Sequence, residues 1–323
     1  MLISIAICTF ERYDALAACL ASLGRQGVAT AEREVLVLDN SPDAARSQHM
    51  AAALGGLAGL RWIHLDRRGL AHARNHAVQQ ARAPLVAFLD DDVTVAPGWL
   101  AAVLEGFARF GEAAHSLGGP VRPDWRAPPP PWLAEGMLPF LSLIDRGPDS
   151  RLLETDEWVP SANAAFRRER LLAAGGFRED LGRRGTEAML LSGEDTELVE
   201  RLHRAGGRTA WQPAAEAFHR IDPSRLDQAW FRRRFAWQAI SDFMVQPDAH
   251  LAAGAASWQE AQRYVSYINT PGLGALAATQ TQPDLCHWQM SAIYHLVLSL
   301  LGGLSGVSPP ATEPQATQPP AHG

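Results

Sequence analysis

Asp90, Asp91 and Asp92 follow directly on the apolar run Pro84-Leu-Val-Ala-Phe-Leu89. A run of that length reads as a strand, in which alternate side chains share a face. The spacing therefore predicts Asp90 and Asp92 on one side and Asp91 on the other. Two carboxylates this close repel unless a cation or a donor offsets them. Hard oxygen ligands suit Mg²⁺ or Mn²⁺, ions that commonly combine one or two carboxylates with the phosphates of a substrate. The pattern predicts a metal site for a phosphate-bearing substrate; the competing reading is a solvated acidic turn behind a core strand.

The elements that must position these acids alternate β and α. Residues 3–9 and 34–40 read as buried strands ending at Thr9 and at Asp39-Asn40, and 61–66 as a shorter one. Leu16, Cys19, Leu20 and Leu23 mark one helical face over 13–25, and 70–81 reads as a helix leading into the strand that ends at Asp90. This order predicts an α/β fold with a mainly parallel sheet flanked by helices, in which ligands bind beyond the carboxyl ends of the strands. No G-x-G-x-x-G follows the first strand, where Thr9-Phe10-Glu11-Arg12 stands instead, so a dinucleotide site is disfavoured. From 118 to 160 the pattern loosens around Pro128–Pro131, with Trp125, Trp132 and Trp158 offering flat faces either to a sugar ring or to the core. Further on, 194–205 reads as an amphipathic helix, 208–211 as a strand, and 226–245 and 255–305 as helices. The tail beyond Ser308 lacks apolar anchors and is expected to be disordered.

At 323 residues and 47% hydrophobic content the chain can bury a large core. Its net charge of -6 argues against a general nucleic-acid binder, although Arg232, Arg233 and Arg234 form a basic cluster. All 29 basic residues are arginine, which excludes a Walker or Schiff-base lysine. Cys8, Cys19 and Cys286 are scattered, suggesting neither a disulfide framework nor a zinc site and fitting a reducing cytosol. Met1 to Thr9 lacks a basic leader and a cleavage site, so no export is expected. Ile293 to Val307 is apolar but short for a membrane span and reads as a buried or interfacial helix.

Seven segments in order resemble the motif set of family 2 glycosyltransferases with the GT-A fold. They are Cys8-Thr-Phe-Glu-Arg12, Leu38-Asp-Asn-Ser41, Gly69-Leu-Ala-His-Ala-Arg-Asn75, Phe88-Leu-Asp-Asp-Asp92, Ser161-Ala-Asn-Ala-Ala-Phe-Arg167, Gly175-Gly-Phe-Arg-Glu179 and Gly193-Glu-Asp-Thr-Glu-Leu198. The resemblance covers about residues 1–225 as the nucleotide-sugar-binding and catalytic domain. It leaves 226–308 as a helical region packed on that domain and 309–323 as the tail.

That resemblance implies a nucleotide-sugar site at Thr9, Glu11, Asp39, Arg74, Asp90 and Asp91, with Thr9 and Asp39 at the nucleoside, Asp90 at the ribose and Arg74 on the pyrophosphate. Asp92 would bind Mn²⁺ or Mg²⁺, with His219 as a second ligand and Arg225 as a phosphate contact. Asp195 would take the proton of the acceptor hydroxyl in an inverting reaction, with Glu194 as substitute or acceptor contact, and Asn163 and Trp158 on the acceptor side. The competing readings are an Asx turn at Asp39, a surface helix arginine at Arg74, a structural histidine at His219, a backbone-bonding Asn163, and a helix cap from Ser192 to Glu197.

The expected donor is a nucleoside diphosphate sugar, a UDP-sugar first. The expected acceptor is a hydroxyl, on a lipid-linked glycan of cell-surface polysaccharide assembly or on a soluble metabolite. The expected location is cytoplasmic, with Ile293–Val307 or Arg232–Arg234 resting on the inner membrane face. Two other readings stand beside this one. Val86 to Thr94 also fits the nucleophile motif of haloacid-dehalogenase-like phosphatases, with Asp90 phosphorylated, and the chain would alternatively be a silent nucleotide-sugar-binding scaffold.

Overall fold

Apolar runs without polar alternation need cover on both faces, and parallel strands are where such runs belong. The computed structural model describes residues 1–27, 32–183, 189–268, 272 and 274–305. The chain opens with β1 (Ile3–Thr9), α1 (Tyr13–Gly24), β2 (Arg33–Asp39), α2 (Ala44–Leu54), β3 (Leu60–His64), α3 (Leu70–Gln80), β4 (Leu85–Asp90), β5 (Val93–Val95) and α4 (Trp99–Phe110). It continues with β6 (Ala114–Gly118), β7 (Val121–Trp125), β8 (Arg151–Leu152), β9 (Asn163–Arg167), α5 (Arg168–Ala173), α6 (Glu194–Arg204), β10 (Arg208–Trp211) and β11 (Ala217–Ile221). Helices α7 (Gln228–Val245), α8 (Pro247–Ala252), α9 (Gly254–Ser266), α10 (Gly274–Ala277) and α11 (Pro283–Ser305) follow.

The main sheet has the order β3-β2-β1-β4-β9-β6-β10-β8. Its first four strands are parallel, β9 runs antiparallel between β4 and β6, β10 is parallel to β6, and β8 is an antiparallel edge. The expected mixed, mainly parallel α/β architecture is therefore present. Successive side chains divide between two cores, as the strand period requires. Ile3, Ile5, Ile7, Val35 and Val37 pack with Leu16 and Leu23 of α1 and Trp99 and Phe107 of α4. On the other face Ala6, Leu36, Leu38, Phe88 and Phe166 join Ala73, Leu198, Trp230, Phe231, Phe235 and Met290. The C-terminal helices thus share the core of the sheet.

A second sheet, β5-β11-β7, was not anticipated from the sequence. In it β11 pairs antiparallel with β5, placing His219 opposite Val93, and parallel with β7. The proline-rich connection after β7 is anchored by buried Met137 and Leu141 in a 3-10 turn, and Trp132 stands edge-on to Phe231 with ring centroids 5.8 Å apart. Ile293 lies within α11, which packs on α7 and α9, and Tyr294 donates to Asp242 of α7 at 2.7 Å. Among the described residues no helix is long and apolar enough to cross a membrane. Val307 and the tail from 309 lie outside the described residues.

Phe231 is fully buried where sheet and helices meet. Phe231→Ala should lower the unfolding free energy by about 3–5 kcal/mol in urea, as truncation of a buried aromatic does. Fluorescence and far-UV circular dichroism should report one common transition; two separate transitions would show that the helices fold independently of the sheet.

Candidate active site

Parallel register brings three strand ends together, since Thr9 of β1 pairs with Asp39 of β2 and Cys8 with Asp90 of β4. Beyond Asp90 the chain leaves the strand and turns at Asp91 and Asp92 into β5. The two-residue alternation expected for Asp90 and Asp92 therefore does not hold, because it lapses where the extended backbone stops. Asp91 and Asp92 instead converge on one guanidinium. Arg12 reaches Asp91 Oδ1 at 2.9 Å and Asp92 Oδ2 at 2.5 Å. The Thr9 hydroxyl donates to Asp91 Oδ2 at 2.8 Å. Burial, only partly offset by Arg12, pushes the Asp91 carboxyl above its ordinary range.

Arg12 is delivered by a strained turn. Glu11 adopts a φ of 58°, and its N–H donates to the Ser41 hydroxyl at 2.8 Å before α1 begins. Sequence reasoning gave Arg12 no role; its place between Thr9 and the first helix was the only signal.

The β5–β11 pairing explains how His219 reaches the acids. Its Nδ1–H donates to the Leu141 carbonyl at 2.8 Å, which leaves Nε2 facing Asp92 Oδ2 at 3.2 Å. Arg225 Nη2 lies 3.7 Å from the same oxygen. Burial alone would raise Asp92, yet His219, Arg12 and Arg225 hold its carboxyl well below the usual carboxylate range. The other oxygen, Oδ1, is sealed from solvent with no hydrogen-bond partner. An imidazole oriented by a backbone carbonyl so that its other nitrogen faces a carboxylate, together with an orphaned carboxylate oxygen, fits a divalent cation. Among the described residues no group of three or more His, Cys, Asp and Glu is placed to hold a metal ion. A cation at Asp92 and His219 would therefore take its remaining ligands from phosphate oxygens and water.

The second half of the site is built around α3 and α6. Arg74 donates from Nη1 to Glu194 Oε1 at 2.7 Å and from Nη2 to Asp90 Oδ1 at 3.3 Å. Its guanidinium lies 5.5 Å from the centroid of the Phe177 ring and only 3% of the residue is exposed. Arg74 is neither a surface helix arginine nor a free phosphate fork, because both terminal nitrogens are engaged by carboxylates. Burial, and next the neighbouring Asp195, push Glu194 up against the pull of Arg74.

Helix α6 opens on Gly193 at a φ of 92°, a left-handed conformation that favours glycine. Ser192 does not cap the helix; its hydroxyl donates to Gln238 at 3.3 Å. The acids of the first turn stand in the favourable field of the helix N-terminus. Asp195 is half-buried and accepts the N–H of Ser161 at 3.1 Å and of Thr196 at 2.9 Å.

These residues face one cavity of about 1320 Å³, whose lining includes Thr9, Glu11, Arg12, Arg74, Asp90, Asp91, Asp92, Glu194, Asp195 and His219, with Trp158 in its wall. Two residues expected in the site lie outside it. Asp39 is fully buried, accepting the Tyr13 hydroxyl at 3.0 Å and the Ser41 N–H at 3.0 Å, which is the Asx-turn arrangement. Asn163 faces the opposite core, where it accepts from Trp99 Nε1 at 2.8 Å and donates to the carbonyls of Ala215 at 2.8 Å and Pro120 at 3.2 Å. It ties β9 to α4 and to the loops that precede β7 and β11. Nor do the three successive arginines form one basic face. Helical rotation sends Arg232 to the Ala278 carbonyl at 2.9 Å, leaves Arg233 exposed, and buries Arg234 in the cavity wall.

Residues 4–169 match the family model described as glycosyl transferase family 2. The chain is 31% identical over 259 residues to the succinoglycan biosynthesis protein ExoM of Rhizobium meliloti, covering 77% of this chain and 76% of that protein. It is 24% identical over 245 residues to a glucosyl-dolichyl phosphate glucuronosyltransferase of Haloferax volcanii, covering 75% and 76%. Among solved structures it is similar to the mannosyltransferase PcManGT from Pyrobaculum calidifontis in complex with GDP-Man and Mn²⁺, with a TM-score of 0.55, 18% identity and coverage of 95% and 76%. It is also similar to residues 1–349 of TarS from S. aureus, with a TM-score of 0.52, 15% identity and coverage of 92% and 90%. At such identities the structural likeness speaks to the fold.

Removing one partner of a buried ion pair leaves the other charge uncompensated. Arg74→Met should cost about 3–5 kcal/mol of stability, measured by denaturant unfolding, and adding Glu194→Gln should recover much of it. Unchanged stability in Arg74→Met would show that the pair does not hold the site together.

Proposed function

The chain belongs to glycosyl transferase family 2, and on that premise we propose that it is a metal-dependent inverting transferase moving a sugar from a nucleoside diphosphate sugar to a hydroxyl. The observation that carries this reading is the placement of the Asp92–His219 pair, with its unpartnered carboxylate oxygen, in the same cavity as Asp195. Asp92 and His219 would hold Mn²⁺ or Mg²⁺. Such an ion stabilises the charge that develops on a departing nucleoside diphosphate.

The remaining residues orient and move protons. Thr9, Glu11, Asp90 and Asp91 form the nucleotide-sugar side of the cavity, with Thr9 and Arg12 fixing the carboxylates on which binding depends. Arg74 acts here as a positioning residue that holds Asp90 and Glu194 in place. Asp195, oriented by two backbone N–H donors and free of a cationic partner among the described residues, accepts the proton of the acceptor hydroxyl as it attacks the anomeric carbon from the face opposite the nucleotide. Trp158 in the cavity wall offers a flat apolar surface to a sugar ring on the acceptor side.

The proposed donor is a UDP-sugar or a GDP-sugar, the second given equal standing by the likeness to a GDP-Man complex. The named relatives, a succinoglycan biosynthesis protein and a glucosyl-dolichyl phosphate glucuronosyltransferase, favour an acceptor in glycoconjugate assembly. None of these relatives supports the phosphatase or the silent-scaffold reading.

Asp195→Asn keeps the size and hydrogen-bonding shape of the side chain but removes the base. Transfer should fall by at least about 100-fold, measured as sugar incorporation into an acceptor, with nucleotide affinity unchanged. Full turnover in this variant would overturn the assignment.

A further inference from the structure

Beyond the metal pair the cavity wall carries two arginines, Arg183 and Arg234, that form no ion pair among the described residues. Arg234 of α7 is 8% exposed and its guanidinium stands over the Phe140 ring at 5.5 Å. Its Nη1 is sealed from solvent without a hydrogen-bond partner, and among the described residues it forms no ion pair. Among the described residues the Arg183 side chain makes one long hydrogen bond, from Nη1 to the Met189 carbonyl at 3.4 Å. Burial, and then the charge of Arg183, push Arg234 down to about 10; burial, and then Arg225, push Arg183 down to about 10. A buried guanidinium such as that of Arg234, beside a second cation and without an ion-pair partner among the described residues, is destabilising. Phe140, Trp230 and Phe235 around them would pack against an apolar side chain instead.

Charge of this kind is accounted for by an anion that arrives with a ligand. The planar guanidinium fork matches phosphate oxygens, and aromatic walls that exclude water strengthen the contact. Gln238, one turn along α7 from Arg234, accepts from the Ser192 hydroxyl at 3.3 Å, which sets this part of α7 against the start of α6, where Asp195 stands. Arg234 therefore sits on the Asp195 side of the cavity rather than beside the metal pair. The cavity of about 1320 Å³ also exceeds the roughly 300–1,000 Å³ that one small ligand usually occupies.

We propose that Arg183 and Arg234 bind a phosphate group carried by the acceptor, distinct from the diphosphate of the donor. This rests on the transferase reading above. It makes the acceptor an anionic molecule whose charge is captured while its hydroxyl is presented to Asp195.

The test is calorimetric titration of inorganic phosphate into the full chain saturated with UDP or GDP and Mg²⁺. Phosphate should bind alongside the nucleotide, and Arg234→Gln and Arg183→Gln should each weaken it by about tenfold or more while leaving nucleotide affinity unchanged. The melting temperature of Arg234→Gln should not fall, since an uncompensated buried charge has been removed; a purely structural arginine would lower it. Mutual exclusion of phosphate and nucleotide would assign these arginines to the donor and overturn the proposal, as would phosphate affinity unaffected in both variants. If neither nucleotide binds, the transferase reading fails by itself. Phosphate titration of the nucleotide-free chain then decides this site: loss of binding in Arg234→Gln upholds it, and unchanged binding overturns it.

Discussion

Five carboxylates, Asp90, Asp91, Asp92, Glu194 and Asp195, crowd one edge of the sheet, and their mutual repulsion is the constraint around which the surrounding structure is arranged. Two arginines divide the load. Arg12 spans Asp91 and Asp92, while Arg74 spans Asp90 and Glu194. Arg225 adds positive charge to Asp92, and His219 Nε2 faces the same oxygen at 3.2 Å. Asp195 stands apart, held by backbone N–H groups and without a cationic partner among the described residues.

Each partner of these acids is placed by a different structural device, so the site depends on the whole fold. The turn at Glu11 aims Arg12, the apolar face of α3 lays Arg74 across Phe177 and Phe88, and the small sheet carries His219. Helix α6 supplies Glu194 and Asp195 only because Gly193 permits the chain to enter it from a left-handed backbone. Binding groups held this way are preorganised, at the expense of burying charge that the folded chain alone does not fully satisfy, as Asp92 Oδ1 and Arg234 Nη1 show.

Much of this was legible in the sequence where one physical signal dominated. Continuous apolar runs located β1, β2 and β4, and helical spacing located α1, α3 and α6 close to their observed bounds. Acids at strand ends were correctly read as sharing a sheet edge, because parallel register follows from the β-α alternation. What failed needed tertiary information. The face-sharing of Asp90 and Asp92 assumed a strand that in fact ends at Asp90. Asn163 has the residue type of a ligand contact, yet its side chain points to the core face, which no local pattern reveals. Three successive arginines look like a patch in sequence, but a rotation of about 100° per residue disperses them on a helix. Arg12 and the small sheet were invisible because β5 and β7 are too short to show a period.

On the proposed reading, Asp92 and His219 couple nucleotide binding to a divalent ion. Calorimetric titration of the chain and of its Asp92→Asn variant with UDP, GDP and dTDP, each with and without Mn²⁺, tests it most directly. One nucleotide should bind about tenfold or more tightly with Mn²⁺, and the variant should lose this difference. Nucleotide binding of equal strength with and without Mn²⁺ would contradict it.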